Sequence, residues 1–250
     1  MDKYLIALDF ETTGLDPESS KIIEVGAIKF DESGEVFDTF SSFANPKRKI
    51  PSEVTKLTGI TKKMLEGSPS PEEVLENLFS WAGGSEYFVA HNAPFEARFI
   101  KAIYKKPPDI IFIDTLEISK KRLKNKKSYK LTDLVPEETE ERHRALSDAK
   151  ACISLYQQLA STYKSGKIPL KTYSQSIHEI QMYDLPSQKQ LSYIESLGGN
   201  SSKVKTKQQA SEYIDELKGQ KKGDKKSSGI SLTRIIFWVA VISFFWYLMK

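Results

Sequence analysis

An apolar stretch that ends in two carboxylates, LIALDFETTGL at residues 5–15, constrains this chain more than any other feature. Side chains of a β-strand alternate between its two faces, so Asp9 and Glu11 point the same way from the end of a buried strand. Two carboxylates side by side on a rigid element suit a hard divalent cation such as Mg²⁺. The stretch therefore predicts a strand that carries metal ligands, although the same pattern alone also fits a solvated strand end.

Two later stretches favour the metal-binding alternative: VAHNAPFEARFI at 89–100 and HRALSDAKA at 143–151. With the first stretch, they resemble the three motifs of DnaQ-like 3′-to-5′ exonucleases of the DEDDh class, the group that includes the DNA polymerase III epsilon subunit and RNase T. The resemblance covers about residues 1–161. It implies a ribonuclease H-like fold and a hydrolase that shortens single-stranded DNA or RNA from the 3′ end, releasing nucleoside 5′-monophosphates.

The resemblance also implies a role for each candidate site residue. Asp9, Glu11, Glu96 and Asp148 would hold two ions of Mg²⁺ or Mn²⁺, and His143 would be the general base. Five further residues would contact the terminal nucleotide: Thr12, Thr13, Leu15, Asn92 and Phe95. The family's pattern has Asp where this chain has Glu96, and the added methylene moves the carboxylate by about 1.5 Å. This departure leaves open an alternative, a catalytically weak exonuclease fold that docks nucleic acid or protein at a membrane.

The order of apolar segments predicts an α/β fold, a mixed sheet flanked by helices. Residues 4–43 predict a three-stranded meander, and strands at 87–90 and 110–115 alternate with helices. We assign the exonuclease domain to residues 1–163.

The C-terminal part of the chain has a different sequence pattern from the exonuclease domain. Residues 173–217 predict a small module of three short helices, because two capping boxes precede apolar positions at helical spacing, and Ile177 and Ile180 belong to the first helix. This module is either a spacer or a docking site for a protein partner. Residues 218–229 are rich in lysine and predict a flexible linker.

The last stretch is strongly apolar. Residues 235–249 are fifteen residues without a charge, and counting from residue 230 gives enough length for a hydrocarbon layer of about 30 Å. We therefore predict a transmembrane tail anchor at 230–250, with a buried core helix as the alternative. Lysines and Arg234 precede the anchor, so the positive-inside rule places the nuclease domain on the cytoplasmic side of a membrane.

Composition limits other classes of function. A net charge of +4 permits a polyanionic partner without requiring one. The single cysteine, Cys152, excludes an intramolecular disulfide and a cysteine-based zinc site. Seven basic residues between Lys120 and Lys130 predict either a solvated loop or the edge of a groove that follows a phosphate backbone.

Overall fold

The chain divides into two compact units, Met1–Met182 and Tyr183–Lys250. The structure is a computed structural model, and it describes residues 4–135, 143–182, 186, 188–204 and 206–227.

A six-stranded mixed sheet forms the centre of the first unit, in the order β3-β2-β1-β4-β5-β6. The strands are β1 (Leu5–Thr12), β2 (Ile22–Phe30), β3 (Val36–Phe43), β4 (Tyr87–Ala90), β5 (Ile111–Asp114) and β6 (Ser174–Ser176). Strand β1 pairs antiparallel with β2 and parallel with β4. It therefore joins the predicted meander of β1, β2 and β3 to the part of the sheet in which strands alternate with helices. The strand that carries the two carboxylates is thus held by neighbours on both sides.

Helices of the first unit pack on both faces of this sheet. They are α1 (Ser52–Thr58), a 3₁₀ helix (Lys62–Leu65), α2 (Pro71–Ala82), α3 (Pro94–Ile103), α4 (Thr115–Arg122), α5 (Leu131–Leu134), α6 (Ala145–Ala160) and α7 (Leu170–Tyr173). Helix α2 begins with a complete capping box from Ser70 and Glu73, which satisfies two backbone N–H groups at its start. This mixed sheet between helices agrees with the predicted ribonuclease H-like arrangement.

Alternation along β1 assigns its side chains to two separate cores. Ile6, Leu8 and Phe10 are buried in one core with residues of α2 and α3. Leu5 and Ala7 are buried in the other core, with residues of α6. Asp9 and Glu11 continue this second row, because side chains two apart share a face. The two carboxylates therefore stand on the α6 face of the sheet.

The segment after α6 differs from its prediction. Ile177 and Ile180, assigned to a helix of the C-terminal module, are buried in the α2–α3 core of the first unit. Strand β6 adds residues 174–176 to the edge of the sheet beside β5, and the Ile177 N–H continues the pairing to the Ile110 carbonyl at 2.8 Å. A three-residue spacing between isoleucines is compatible with a turn as well as a helix, and the free strand edge favoured pairing.

The second unit contains α8 (Gln188–Ser196), a 3₁₀ helix (Ser201–Lys203) and α9 (Lys207–Ser227). Among the described residues of this unit, four are buried in a small core: Ile194, Ala210, Ile214 and Leu217. Helix α9 runs on through most of the segment predicted as a flexible linker. Lysine is a good helix former, and this stretch contains no proline to end the helix.

The prediction of a transmembrane helix, with its membrane partner and its orientation, is corrected here. In the described part of the chain, no helix is both long and apolar enough to cross a membrane. Helix α9 has 21 residues and so spans about 31 Å, but ten of those residues are charged. Residues 230–250, where the anchor was predicted, lie outside the described residues.

Candidate active site

The carboxyl end of β1 brings Asp9 and Glu11 to the middle of the sheet. Both side chains are partly buried, whereas the strand before them is fully buried. Across the sheet, Asp9 lies opposite Gly26 of β2, and Glu11 lies opposite Glu24. These β2 residues consequently share the α6 face with the two carboxylates.

Gly26 allows α6 to approach the sheet at its first residues. A Cβ atom at this position would lie 2.2 Å from the Ala145 carbonyl carbon and 2.3 Å from the Leu146 nitrogen. Any side chain would therefore push the start of α6 away from β1 and β2. Glycine inside a strand pattern is a known sign of close backbone approach, and that sign was present in the sequence.

We expect Gly26→Ala to lower the free energy of unfolding by about 1–3 kcal/mol, the usual cost of overpacking. Exonuclease turnover should fall as well, since Asp148 lies one turn into the displaced helix. Urea titration and a turnover assay measure the two effects. Gly219→Ala is the matched control, because a Cβ there meets nothing within 4 Å, and unchanged stability in Gly26→Ala would contradict this account of the contact.

An ion pair between a buried glutamate and a partly exposed arginine fixes the residue that precedes α6. Glu24 is 2 % exposed, and its carboxylate accepts hydrogen bonds from Arg144 Nη2 at 2.8 Å and Arg144 Nε at 3.0 Å. It also accepts the Ala145 backbone N–H at 3.1 Å, which satisfies a free donor at the helix start. The sequence analysis missed this pair. A lone glutamate in the apolar run KIIEVGAIKF was the available signal, because a buried charge requires a partner.

The start of α6 then places three candidate ligands together. One ligand atom from each of Glu11, His143 and Asp148 lies within 4.8 Å of the other two. His143 reaches this position with φ of 62°, in the left-handed region that residues other than glycine seldom adopt. Glu11 lies on β1, His143 lies two residues before the start of α6, and Asp148 lies in the first turn of α6.

Asp9 and Glu96 are outside that group of three but belong to the same charged region. Glu96 is on the first turn of α3 and is 2 % exposed, and its Oε2 atom has no hydrogen-bond partner among the residues that the structure describes. Burial raises the pKa of Asp9 well above its usual value, and the charges of Glu96, Asp148 and Glu11 raise it further. Burial also raises the pKa of Glu96, with a further contribution from Asp114.

Glu11 shows the same effect with an opposing contribution. Burial, followed by the charges of Asp148 and Glu24, raises the pKa of Glu11 to about 8, while Arg144 acts to lower it. Carboxyls that raise one another's pKa in a buried site are destabilised when they ionise together.

These residues fit a divalent metal. The four carboxylates offer oxygen donors, which Mg²⁺ and Mn²⁺ prefer. The buried Glu96 oxygen without a partner is the kind of atom that a cation would satisfy. A divalent charge would also relieve the repulsion among the four carboxylates.

The sequence also matches known proteins. Residues 6–156 match the family model RNase_T, described as Exonuclease. The chain belongs to this exonuclease family. The prediction of a DnaQ-like exonuclease domain is therefore confirmed, and the domain is a nuclease domain.

Two relatives illustrate the match within the exonuclease family. A PolC-type DNA polymerase III from Caldanaerobacter subterraneus subsp. tengcongensis is 38% identical over 182 residues, which are 70% of this chain and 13% of the relative. The 3′-5′ exonuclease DinG from Bacillus subtilis is 34% identical over 178 residues, 68% of this chain and 19% of the relative. The chain thus spans less than a fifth of the length of either relative.

Solved structures show the same fold. A structure of Exonuclease X in complex with 5′ overhanging duplex DNA has a TM-score of 0.51 and 25% identity, covering 63% of this chain and 92% of that one. The nuclease domain of 3′hExo, described as a DEDDh family member bound to rAMP, has a TM-score of 0.54 and 21% identity, covering 61% and 89%.

The three nucleotide contacts predicted at the end of β1 and in the loop after it differ in how exposed their side chains are. The Thr12 hydroxyl donates to the Gly14 carbonyl at 2.7 Å, and the Thr13 hydroxyl accepts the Lys21 N–H at 2.9 Å. Both hydroxyls therefore hold the loop between β1 and β2. Leu15 at the tip of this loop is 72% exposed. Contact of these residues with a nucleotide stays a prediction, and Leu15 has the most accessible side chain of the three.

Asn92 and Phe95 lie where β4 passes into α3. Asn92 is exposed, has φ of 81°, and donates its backbone N–H to Asp114 Oδ1 at 3.0 Å. Asp114 also caps α4 by accepting the Leu116 N–H at 2.9 Å. Phe95 is partly buried, with its ring centre 4.9 Å from that of Phe99. Asp114 thus supports the turn at Asn92. Sequence reasoning missed it, although an Asp before TLEISKKR is a typical helix cap.

The basic run between Lys120 and Lys130 is partly committed to structural contacts. Lys121 pairs with Glu117, and Arg122 donates to the Thr162 carbonyl and stacks on Tyr163. Tyr129 in the same run is tied to the residue that follows β4, because the Tyr129 carbonyl accepts from His91 Nε2 at 2.8 Å. Burial lowers the pKa of His91, which disfavours its charged form. A groove role for the remaining lysines stays a prediction.

Proposed function

We propose that this protein is a divalent-metal-dependent exonuclease that removes nucleotides from the 3′ ends of single-stranded DNA or RNA. The observation that carries the proposal is the meeting of Glu11, His143 and Asp148 within 4.8 Å, in a domain of the exonuclease family. DinG, which matches over most of this domain, is named as a 3′-5′ exonuclease. The expected products are nucleoside 5′-monophosphates.

Each site residue has a proposed part in hydrolysis. Two ions of Mg²⁺ or Mn²⁺, when bound, supply neutralisation of the scissile phosphate and a water of lowered pKa. Asp9, Glu11, Glu96 and Asp148 would hold the cations through their carboxylate oxygens. His143 accepts the proton of the attacking water at a ring nitrogen, for which its place beside Glu11 and Asp148 is suited.

Glu24 and Arg144 support this site by positioning the start of α6. Their ion pair holds the residue next to His143 and the first N–H of α6 against β2. Because α6 carries Asp148, the pair keeps the His143–Asp148 segment at a fixed distance from Glu11. Exposed Leu15 would contact the terminal nucleotide from the loop after β1.

A gel assay tests the proposal directly. The full chain receives DNA and RNA strands of one sequence, labelled at the 5′ end, with Mg²⁺, with Mn²⁺ or with EDTA. We expect a ladder of products that shorten from the 3′ end and appear only with a divalent cation. Asp148→Ala controls for a contaminating nuclease. If wild type shortens neither strand but binds both in a salt-sensitive way, the protein is a docking module and the proposal fails.

Substitution of Glu96 tests whether the longer side chain at this position supports activity. We expect Glu96→Asp to keep or raise kcat, since Asp retains the charge and stands where the family's pattern has Asp. Glu96→Gln should lower kcat by about a hundredfold, as expected when a charge that stabilises the transition state is removed. Steady-state kinetics on a 5′-labelled strand measure both. Loss of activity in Glu96→Asp would show instead that the site is built around the longer side chain.

A further inference from the structure

A basic cleft lies between the loop that follows β3 and the pair formed by α1 and the 3₁₀ helix Lys62–Leu65. Its volume is about 650 Å³, and its charged lining consists of one acidic residue, Glu66, and four basic residues: Lys47, Arg48, Lys49 and Lys62. Residues 45–66 carry six basic and two acidic side chains, a net charge of +4 that equals that of the whole chain. The rest of the sequence is therefore neutral overall.

The strand register places this cleft near the same strand ends as the candidate active site. Glu11 of β1 lies opposite Glu24 of β2, which lies opposite Phe43 of β3. Strands are about 4.8 Å apart, so Phe43 is about 10 Å from Glu11 along this row. Asn45, the first residue that lines the cleft, follows two residues later.

Packing ties the cleft to the active-site loops. Ile50 and Leu65, two apolar residues of its wall, are buried in a core cluster against which Phe43 packs. The Arg144 guanidinium lies 5.3 Å from the centre of the Phe43 ring. On the other side, Arg48 Nη1 donates to the carbonyl of Ser19, in the loop that follows Glu11 and Leu15. The cleft is consequently held in a fixed relation to the catalytic strand.

Two of the basic side chains are available to an anion. Lys49 and Lys62 are exposed, and within the described residues neither forms an ion pair or a side-chain hydrogen bond. By contrast, Arg48 is bonded to Ser19, and the charge of Lys47 contributes to lowering the pKa of Glu73. Exposed lysines on both walls of a cleft, unpaired among the described residues, suit phosphate groups.

From position and charge together, we infer that this cleft binds the phosphodiester backbone of the substrate strand, upstream of the nucleotide in the active site. The inference rests on the proposed exonuclease function. It assigns the backbone contact to residues 45–66, whereas the sequence had suggested the basic run at 120–130. A strand whose 3′ end reaches Glu11 and Asp148 would pass Phe43 and then enter the cleft.

The test compares a long with a short substrate in the full chain. Lys49→Glu combined with Lys62→Glu reverses the two available charges, and Lys105→Glu combined with Lys106→Glu is the matched control. Lys105 and Lys106 are exposed and lie between α3 and the start of β5, at the end of the strands opposite to Glu11. A single strand of 20 nucleotides reaches both the active site and the cleft, whereas a dinucleotide reaches only the active site.

We expect the cleft variant to lose about tenfold in kcat/KM on the 20-nucleotide strand and nothing on the dinucleotide. Fluorescence anisotropy in EDTA should show its salt dependence of binding reduced by about 1.4 in log–log slope, since each phosphate contact on a single strand contributes about 0.7. An equal loss on both substrates, an equal loss in the control variant, or no loss at all would overturn the inference.

The same experiment separates this inference from the proposed function. If wild type cleaves neither substrate, the proposed function fails, and the anisotropy measurement still decides the cleft. Weaker binding and a smaller salt slope in the cleft variant alone would then support a backbone site without hydrolysis. Equal binding by wild type and both variants would remove the cleft assignment as well.

Discussion

Asp148→Asn is expected to remove metal-dependent turnover and, at the same time, to stabilise the metal-free protein. The substitution keeps the shape of the side chain but removes a charge that raises the pKa of both Asp9 and Glu11. Less repulsion among the remaining carboxylates should raise the melting temperature in EDTA. Turnover should fall by about a thousandfold, within the range found when a single group that stabilises transition-state charge is lost.

The opposite directions of the two effects make this prediction specific. A residue with a purely structural role would lose stability and activity together. Asp133→Asn is the matched control, because Asp133 is an exposed aspartate in the first turn of the short helix α5, and neither property should change there. Thermal unfolding in EDTA and initial rates with Mg²⁺ measure the pair. Retention of more than a tenth of wild-type kcat would exclude Asp148 from the catalytic group.

The sequence predicted the parts of this site that lie within one element. Period-two alternation assigned Asp9 and Glu11 to one face of a strand, and the motif around His143 and Asp148 was recognised by resemblance. Contacts between elements were not predicted. The Glu24–Arg144 pair joins residues 120 positions apart, and the approach of Gly26 to Ala145 depends on how a helix crosses a sheet. Local patterns define the face that a residue occupies but not its partner.

The same limit explains the errors in the C-terminal part. Ile177 and Ile180 have a spacing that fits a helix, but a vacant edge beside β5 offered backbone hydrogen bonds, and the segment joined the sheet there. The lysines after Leu217 were interpreted as a linker from composition, although lysine supports a helix that has already begun. Hydropathy alone predicted the membrane anchor, and the described helices contain no span of that kind.

Stability of the metal-free protein is expected to fall as pH rises, and a divalent cation should reverse the trend. A carboxyl whose pKa is higher in the folded state holds its proton more tightly there, so its contribution is fully present at low pH. For Glu11 this contribution is lost between its usual pKa of 4.5 and about 8. One pKa unit corresponds to about 1.4 kcal/mol, which gives an upper limit of about 5 kcal/mol for this residue. Asp9 and Glu96 act in the same direction.

His91 changes stability in the opposite sense. Its pKa is lowered in the folded state, so protonation of the unfolded chain lowers stability at acidic pH. The His91 contribution cancels when the free energy of unfolding of Glu11→Gln is compared with that of wild type, since His91 is present in both proteins. We therefore expect Glu11→Gln to gain stability relative to wild type from pH 5 to pH 8 in EDTA, as measured by urea titration at each pH.

Addition of Mg²⁺ should remove most of the difference in free energy of unfolding between wild type and Glu11→Gln at pH 8, and little of it at pH 5. Binding to the folded state stabilises it by an amount that grows with affinity, and affinity requires ionised carboxylates. Wild type should therefore gain more from Mg²⁺ at pH 8 than Glu11→Gln does, because the variant lacks one ligand. An equal gain in both proteins at pH 8 would mean that Glu11 is not a metal ligand. If wild type in EDTA loses no stability relative to Glu11→Gln from pH 5 to pH 8, the charge of Glu11 is already balanced by Arg144.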